Sequence, residues 1–138
     1  MTKEIDIRRG RHGVFLMHVH LVFVAKYRRK IFDQDAIEKL RRYFASVCVD
    51  FEVELVEMDG ESDLVHLLSN YPPKLAVSNL VNSLKGASSQ LLHRDRPDIA
   101  LRYYYKGVLW TPSYFASSCG DAPISIIRQY IEQQQTPS

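Results

Sequence analysis

The chain has 138 residues, with 18 Lys and Arg against 16 Asp and Glu for a formal net charge of +2, a length that fits one domain with a self-sufficient core. Hydrophobic residues at 46% and charged residues at 25% exclude intrinsic disorder and a collagen-like chain, and two cysteines, Cys48 and Cys119, exclude a disulfide framework or a four-Cys zinc site. The first residues are charged rather than an apolar signal segment, and no apolar run approaches bilayer length, so a cytoplasmic protein is expected.

No internal repeat or linker-like tract interrupts the sequence, so residues 1–138 read as a single domain. Residues 14–25 (VFLMHVHLVFVA) are rich in β-branched and aromatic side chains and predict a strand. Alternation puts Leu16, His18, His20, Val22 and Val24 on one face, with Phe15, Met17, Val19, Leu21 and Phe23 on the other. Asp33 reads as the N-cap of a helix with Ile37, Leu40, Phe44 and Val47 at helical spacing. Phe51 to Met58 alternates again, Asp59-Gly60 signals a turn, and Leu64 to Leu68 completes a hairpin. Tyr71-Pro72-Pro73 stops that strand, and Ser78 is expected to cap a second helix with Val81, Leu84, Ser88 and Leu91 in one stripe. Residues 94–107 give no assignable element. Leu109 to Ser117 reads as a strand broken by Pro112, which marks an edge position or a bulge. Asp121 with Pro123 opens a last helix over 123–135. The order β-α-β-β-α-β-α predicts an α+β fold, a ferredoxin-like domain whose antiparallel sheet has its first and third strands side by side, with an added C-terminal helix. That fold hosts nucleic-acid binders, metal binders and enzymes alike, so function must rest on particular side chains.

The charge is unevenly spread. Residues 1–30 hold Lys3, Arg8, Arg9, Arg11, Lys26, Arg28, Arg29 and Lys30 against Glu4 and Asp6, a local +6 that leaves −4 for the remainder, much of it in the acidic stretch 50–63. Such a basic portion is the footprint of a polyanion partner or an ordinary solvated surface. Lys26-Tyr27-Arg28-Arg29-Lys30 sets four cations around an aromatic, which suits phosphates with a stacked base; a charged loop is the plainer alternative. Tyr103, Tyr104 and Tyr105, followed by Lys106 and Trp110, could stack bases or fill an interface.

His18 and His20 stand two apart on one strand, so both imidazoles project from the same face and could bind one metal ion. His66 lies between apolar Val65 and Leu67, where a lone histidine is more often structural than a ligand. The fold makes its strand the neighbour of the first, so the three could converge. In the last helix Tyr130 and Gln134 share a face. Tyr130 is either packing with its hydroxyl in water or a nucleophile toward phosphorus that forms a covalent intermediate.

Five blocks, HLVFVAKYRRKIF (20–32), DLVHLLSNYPP (63–73), LVNSLKGASSQLL (80–92), LWTPSYF (109–115) and IIRQYIEQQ (126–134), resemble in order and spacing the small insertion-sequence transposases of TnpA type. These IS-two-hundred-like enzymes belong to the single-tyrosine HUH superfamily, and the resemblance runs from about residue 12 to 135. It implies a metal-dependent strand transferase, bacterial or archaeal and nucleoid-associated when acting. Such an enzyme excises and inserts a mobile element as single-stranded DNA and recognises hairpins near the transposon ends. By the same resemblance Tyr130 is the nucleophile joined to a 5′ phosphate, and Gln134 and His66 are ligands of Mg2+ or Mn2+. The resemblance places Lys85, in the KGAS block, near DNA, and the charge of the run Lys26 to Lys30 leads to the same expectation for that run. The resemblance also implies a homodimer.

The chain departs from the family at one decisive position. The family's His-hydrophobic-His motif aligns with Leu64-Val65-His66, so Leu64 stands where the first metal ligand is expected and offers no lone pair. Three readings follow: a working transposase in which His18 or His20 supplies the missing ligand, His18 being the better candidate because His20 fits the family's first-strand pattern; an impaired relative or variant that dimerises and binds hairpin DNA without cutting it; or a ferredoxin-like regulatory or RNA-binding protein that only mimics the family.

Overall fold

The computed structural model describes residues 16–104, 107–118 and 124–133. Strand β1 (Met17–Val24) carries apolar residues on both faces over its second half, which suits a central position, and it is paired on both edges. With β2 (Glu54–Gly60), β3 (Leu64–Tyr71) and β4 (Phe115–Ser117) it makes a four-stranded antiparallel sheet in the order β2-β3-β1-β4. The predicted ferredoxin-like α+β arrangement is present, with first and third strands adjacent. Helices α1 (Gln34–Asp50) and α2 (Val77–Asp95) cover one face. There Leu21, Phe23 and Leu67 pack with Leu40, Phe44 and Leu84, each essentially without solvent exposure, which is the main apolar term holding the fold. The other face carries the histidines, and part of it lies under α4 (Ile124–Gln133), whose Tyr130 and Ile131 pack on Val22, Val24 and Leu64.

Local signals explain most boundaries. Asp33 caps α1 as expected, its Oδ1 accepting from the Ala36 N–H at 2.8 Å. Strand β2 cannot alternate strictly, because Val53, Leu55 and Met58 must all reach the core. A bulge between Leu55 and Glu57 absorbs the odd residue, leaving Val56 exposed and keeping Glu57 and Asp59 on the histidine face.

Four expectations need correction. The hairpin turns over Glu61–Asp63, where the Glu61 N–H donates to the Leu64 carbonyl at 2.9 Å; Gly60 is the last residue of β2, and a Cβ there would run into Ile37 Cδ1 of α1. Ser78 is not the cap of α2, which starts at Val77 after Ala76 with no side-chain cap; its buried stripe is Leu80, Val81, Leu84, Ser88 and Leu92. The unassigned stretch contains a short helix, α3 (Pro97–Tyr103), with proline in the first turn. Last, the strand expected over 109–117 is a single bridge from Trp110 to Ala25, a break at Pro112, and then β4. The start of the predicted first strand at 14–15, Cys119, the Asp121-Pro123 opening and the helix end at 134–135 lie outside the described residues. Among the described residues no helix is long and apolar enough to cross a membrane.

Arg96 ties α3 to the start of α1, donating to both Asp33 carboxylate oxygens at 2.8 Å and to Asp35 and Asp98 at 2.9 Å. The Arg96 hydrogen bonds, then the Ala36 N–H, hold the Asp33 carboxyl at about 2 against the ordinary 3.8. A carboxyl depressed by folding stabilises above its unfolded value, and that contribution fades as pH falls from about 4 toward 2. Urea denaturation is expected to show Asp33→Ala less stable by about 1 kcal/mol at pH 7, with the gap closing across that acid window.

Candidate functional site

On the sheet face opposite α1 and α2, a cleft of about 460 Å³ is lined by His20 and Val22 of β1, Leu64 and His66 of β3, Arg28 and Glu61 from the two loops beside them, and Arg128, Ile131 and Glu132 of α4. The register of β1 on β3 opposes His20 to Leu68 and Val22 to His66, so the two histidines are diagonal neighbours, their ring centroids 5.7 Å apart. Asp59 of β2 stands opposite His66 on the same face.

His18 does not join them. It lies opposite Asn70, its Nδ1 2.5 Å from Asn70 Oδ1, while Asn70 Nδ2 donates to Glu54 Oε1 at 2.9 Å. Four positions separate Asn70 from His66, roughly 13 Å of strand, so the sheet brings His20 and not His18 to His66. This reverses the expected order of the two candidates. Gln134 lies outside the described residues. Among the described residues no three His, Cys, Asp or Glu side chains converge closely enough to hold a metal ion. The donor chemistry that fits a divalent cation here is the imidazole pair.

Leu64 is 4% exposed and belongs to an apolar cluster with Val22 and Val24, against which Phe115, Tyr130 and Ile131 pack. Where the resemblance leads one to expect a ligand, the chain builds an apolar seat for α4. Tyr130 lies half-buried on that seat, its ring 6.1 Å from Phe115, and its hydroxyl is 3.1 Å from Ser113 Oγ. The ring of Tyr130 therefore packs, as one of its two readings expects, while the hydroxyl makes a polar contact with Ser113.

The basic run leaves β1 through a tight turn, Lys26–Arg28, in which Tyr27 (φ 59°) and Arg28 (φ 56°) are both left-handed. Neither is glycine, and each costs about 1–2 kcal/mol. The hairpin loop pins the turn from below. Ser62 accepts from the N–H groups of Ile31 and Phe32 at 2.8 and 2.9 Å, the Asp63 carbonyl accepts from Ala25 at 2.9 Å, and Arg28 Nε donates to Asp63 Oδ2 at 2.8 Å. Tyr27 lies beside Lys26, whose Nζ is 5.1 Å from its ring centre, while Arg29 and Lys30 are exposed.

Lys85, expected beside DNA, is turned inward. Its Nζ donates to the carbonyls of Thr111 at 2.7 Å and Ser113 at 2.8 Å, and lies 3.4 Å from that of Pro112, over the rings of Phe23 and Tyr114. Burial lowers its pKa from 10.5 to about 8. Next to it the buried Ser88 hydroxyl donates to the Lys85 carbonyl at 3.1 Å and accepts from Trp110 Nε1 at 3.0 Å. Trp110 is thus core, not a platform for bases. Tyr104 is half-buried too, its hydroxyl donating to the Ser89 carbonyl at 2.9 Å and pushed up to about 12 by burial; the Tyr103 side chain and Tyr105 lie outside the described residues. The Cys48 thiol is buried and pushed up to about 11, so it is inert.

Sequence reading missed Arg128 and Ser113, and it took Glu61 and Asp63 only as part of the acidic stretch 50–63, without their separate places at the cleft and under the turn. Ser113 left a signal, a hydroxyl at the proline break of a strand that borders β1.

A family profile described as transposase, IS200 like, matches residues 13–134. The chain is 28% identical over 130 residues to the ISDra2 transposase TnpA of Deinococcus radiodurans, covering 94% of this chain and 92% of that one. It is 30% identical over 115 residues to the transposase for insertion sequence element IS200 of Salmonella typhimurium, covering 83% and 74%. A crystal structure of a candidate transposase from Deinococcus radiodurans R1 superposes with a TM-score of 0.83 at 28% identity, covering 94% of this chain and 98% of that one. The structure of a REP-associated tyrosine transposase bound to a REP hairpin gives a TM-score of 0.58 at 13% identity, covering 96% and 69%, a likeness of fold alone.

Lys85→Met keeps the stem of the side chain and removes the ammonium that satisfies the 111–113 carbonyls, so thermal or urea denaturation at pH 7 is expected to show a loss of about 1.5–3 kcal/mol. Between pH 8 and 10.5 the unfolded chain holds a proton on Lys85 that the folded chain has released, so this group favours folding increasingly as pH rises. The stability gap between wild type and Lys85→Met should therefore widen from pH 8 to 10.

Proposed function

The chain belongs to the IS200-like transposase family, and from that membership we propose that it cuts and rejoins single-stranded DNA at hairpin-bearing transposon ends through a 5′-phosphotyrosine on Tyr130. The observation that carries this reading is the convergence of His20, His66 and Arg28 in one cleft beneath the helix that bears the tyrosine. A hairpin is the ligand in the complex of the REP-associated relative, and the same kind of ligand is proposed here, bound by a homodimer.

In the proposed reaction the Tyr130 oxygen attacks phosphorus as its proton is lost, the bond from phosphorus to the 3′ oxygen breaks, and that oxygen takes up a proton. The phosphotyrosine conserves the energy of the phosphodiester, so a 3′ hydroxyl attacking in reverse restores a strand with no external energy. His66 and His20, with Gln134, would hold the divalent cation, Mg2+ or Mn2+. Bound there, the cation would polarise the scissile phosphate. Lys26, Arg29 and Lys30 would track the backbone of the single strand, with Tyr27 offering a face to a base.

Leu64 favours a second reading, in which the chain binds and dimerises but no longer cuts. Its burial in the apolar cluster means that position 64 gives the cation nothing. One assay separates the two. Protein mixed with end-labelled single-stranded DNA carrying a transposon-end hairpin, in Mn2+, should give a covalent adduct on a denaturing gel, and Tyr130→Phe should abolish it. An adduct that forms only after Leu64→His would establish the impaired reading, and no hairpin binding by any variant would end both. Separately, Arg29→Gln and Lys30→Gln should each reduce the slope of log Kd against log salt by about 0.7 in hairpin-oligonucleotide titrations, one phosphate contact apiece.

A further inference from the structure

We propose that Arg28 is a catalytic residue that contacts the scissile phosphate, and that Asp63 is the positioning residue that aims it. The proposal rests on the transposase reading above and names a part of its site that the tyrosine and the cation ligands leave out. Four cations stand in the run after β1, yet Arg28 alone among them lines the cleft with His20 and His66. Its side chain is about a third exposed, at 31%, and its partner Asp63 is almost wholly buried, at 6%. A buried carboxylate bonded at Nε fixes the plane of the guanidinium, as a flexible surface cation would not be fixed.

The backbone makes the same point independently. Tyr27 and Arg28 are consecutive left-handed residues without glycine, a conformation that persists only where the surroundings over-determine it and that concentrates at functional sites. Here the surroundings are the Ser62 and Asp63 carbonyls and the Asp63 carboxylate, all from the loop that leads into Leu64 and His66. The loop that delivers His66 to the cleft thus also holds Arg28 there. Arg128 lines the same cleft but is exposed on α4. As the bond from the Tyr130 oxygen to phosphorus forms and the bond to the 3′ oxygen breaks, charge grows on the non-bridging phosphate oxygens. A planar, permanently charged fork held in place beforehand is suited to that charge. The role matters most in a chain where Leu64 has removed one support for a cation.

The test is single-turnover adduct formation on saturating hairpin oligonucleotide in Mn2+, with hairpin Kd measured in parallel. Arg28→Gln should slow adduct formation about 100-fold while Kd changes by less than about fivefold, and Arg28→Lys should recover only part of the rate. Asp63→Asn should slow it about tenfold, and should cost nothing further in the Arg28→Gln background, because it acts through Arg28. If Arg28→Gln stays within about twofold of wild type, or the two losses multiply, the proposal fails while the transposase reading stands. If wild type forms no adduct, the transposase reading fails, and the Arg28 Nε–H resonance decides the proposal separately. Titration with dimethyl phosphate should move that resonance in wild type and not in Asp63→Asn; no movement in wild type overturns the phosphate contact.

Discussion

Because β1 is hydrogen-bonded on both edges, with His20 opposite Leu68 on one side and Ser117 on the other, its alternation cannot slip by one residue without turning Leu21 and Phe23 out of the core. The main apolar cluster therefore fixes the histidine face as a by-product of fixing its own. His20 and Val22 point into the cleft because their neighbours point away from it, and the β3 register then determines which residue stands diagonal to His20. A site built on two central strands in this way is held by the stability of the whole sheet. Its precision comes from residues that never touch a ligand.

The weak edge of that sheet is managed by a half-buried charge. Between Trp110 and Phe115 the chain leaves its pairing with β1, and Pro112 has no N–H with which to resume it. Three successive carbonyls are left without strand partners, and the Lys85 ammonium meets them. Burial lowers the Lys85 pKa to about 8, and removing the side chain would leave those carbonyls without its ammonium. The same short segment ends in Ser113, whose hydroxyl meets Tyr130. Ser113 thus meets α2 through its carbonyl and α4 through its hydroxyl.

Much of this fold was legible in the sequence, and the illegible part has a common cause. Period-two alternation in 17–24 and helical spacing after Asp33 are local, and both give the right element and the right face. The register that separates His18 from His66 is not local, and neither is the bulge at Val56, which exists because Met58 must reach a core built by other elements. Gly60 resembles a turn residue in sequence, whereas its requirement is the close approach of Ile37. Helix α3 is short, and beyond Pro97 and Asp98 in its first turn it is tied down by Arg96 meeting Asp33 and Asp35 more than 60 residues away, a contact that no local window carries. Lys85 shows the same limit at the site: a lysine in a helix reads as a contact for phosphates until the 111–113 carbonyls are seen around it. The Tyr130–Gln134 spacing and His66 came from resemblance and spacing, but Arg28 and Asp63 became a pair only when the hairpin loop folded under the turn.

Position 64 divides the histidine face into two environments. On one side Val22, Val24, Leu64, Phe115, Tyr130 and Ile131 form an apolar patch; Val22, Leu64 and Ile131 also form the apolar wall of the cleft whose other lining is His20, His66, Glu61, Arg28, Arg128 and Glu132. A histidine at 64 would put a polar ring within the apolar patch and loosen the contact that carries α4, while leucine there strengthens that contact at the expense of a ligand. Leu64 thus serves the seating of the tyrosine helix on its own sheet. In the proposed reaction, fixed protein charge would share with the cation the work of stabilising a phosphate. The charge closest to that need is the one whose position the fold has already secured, through two strained residues and a buried carboxylate, beside His66.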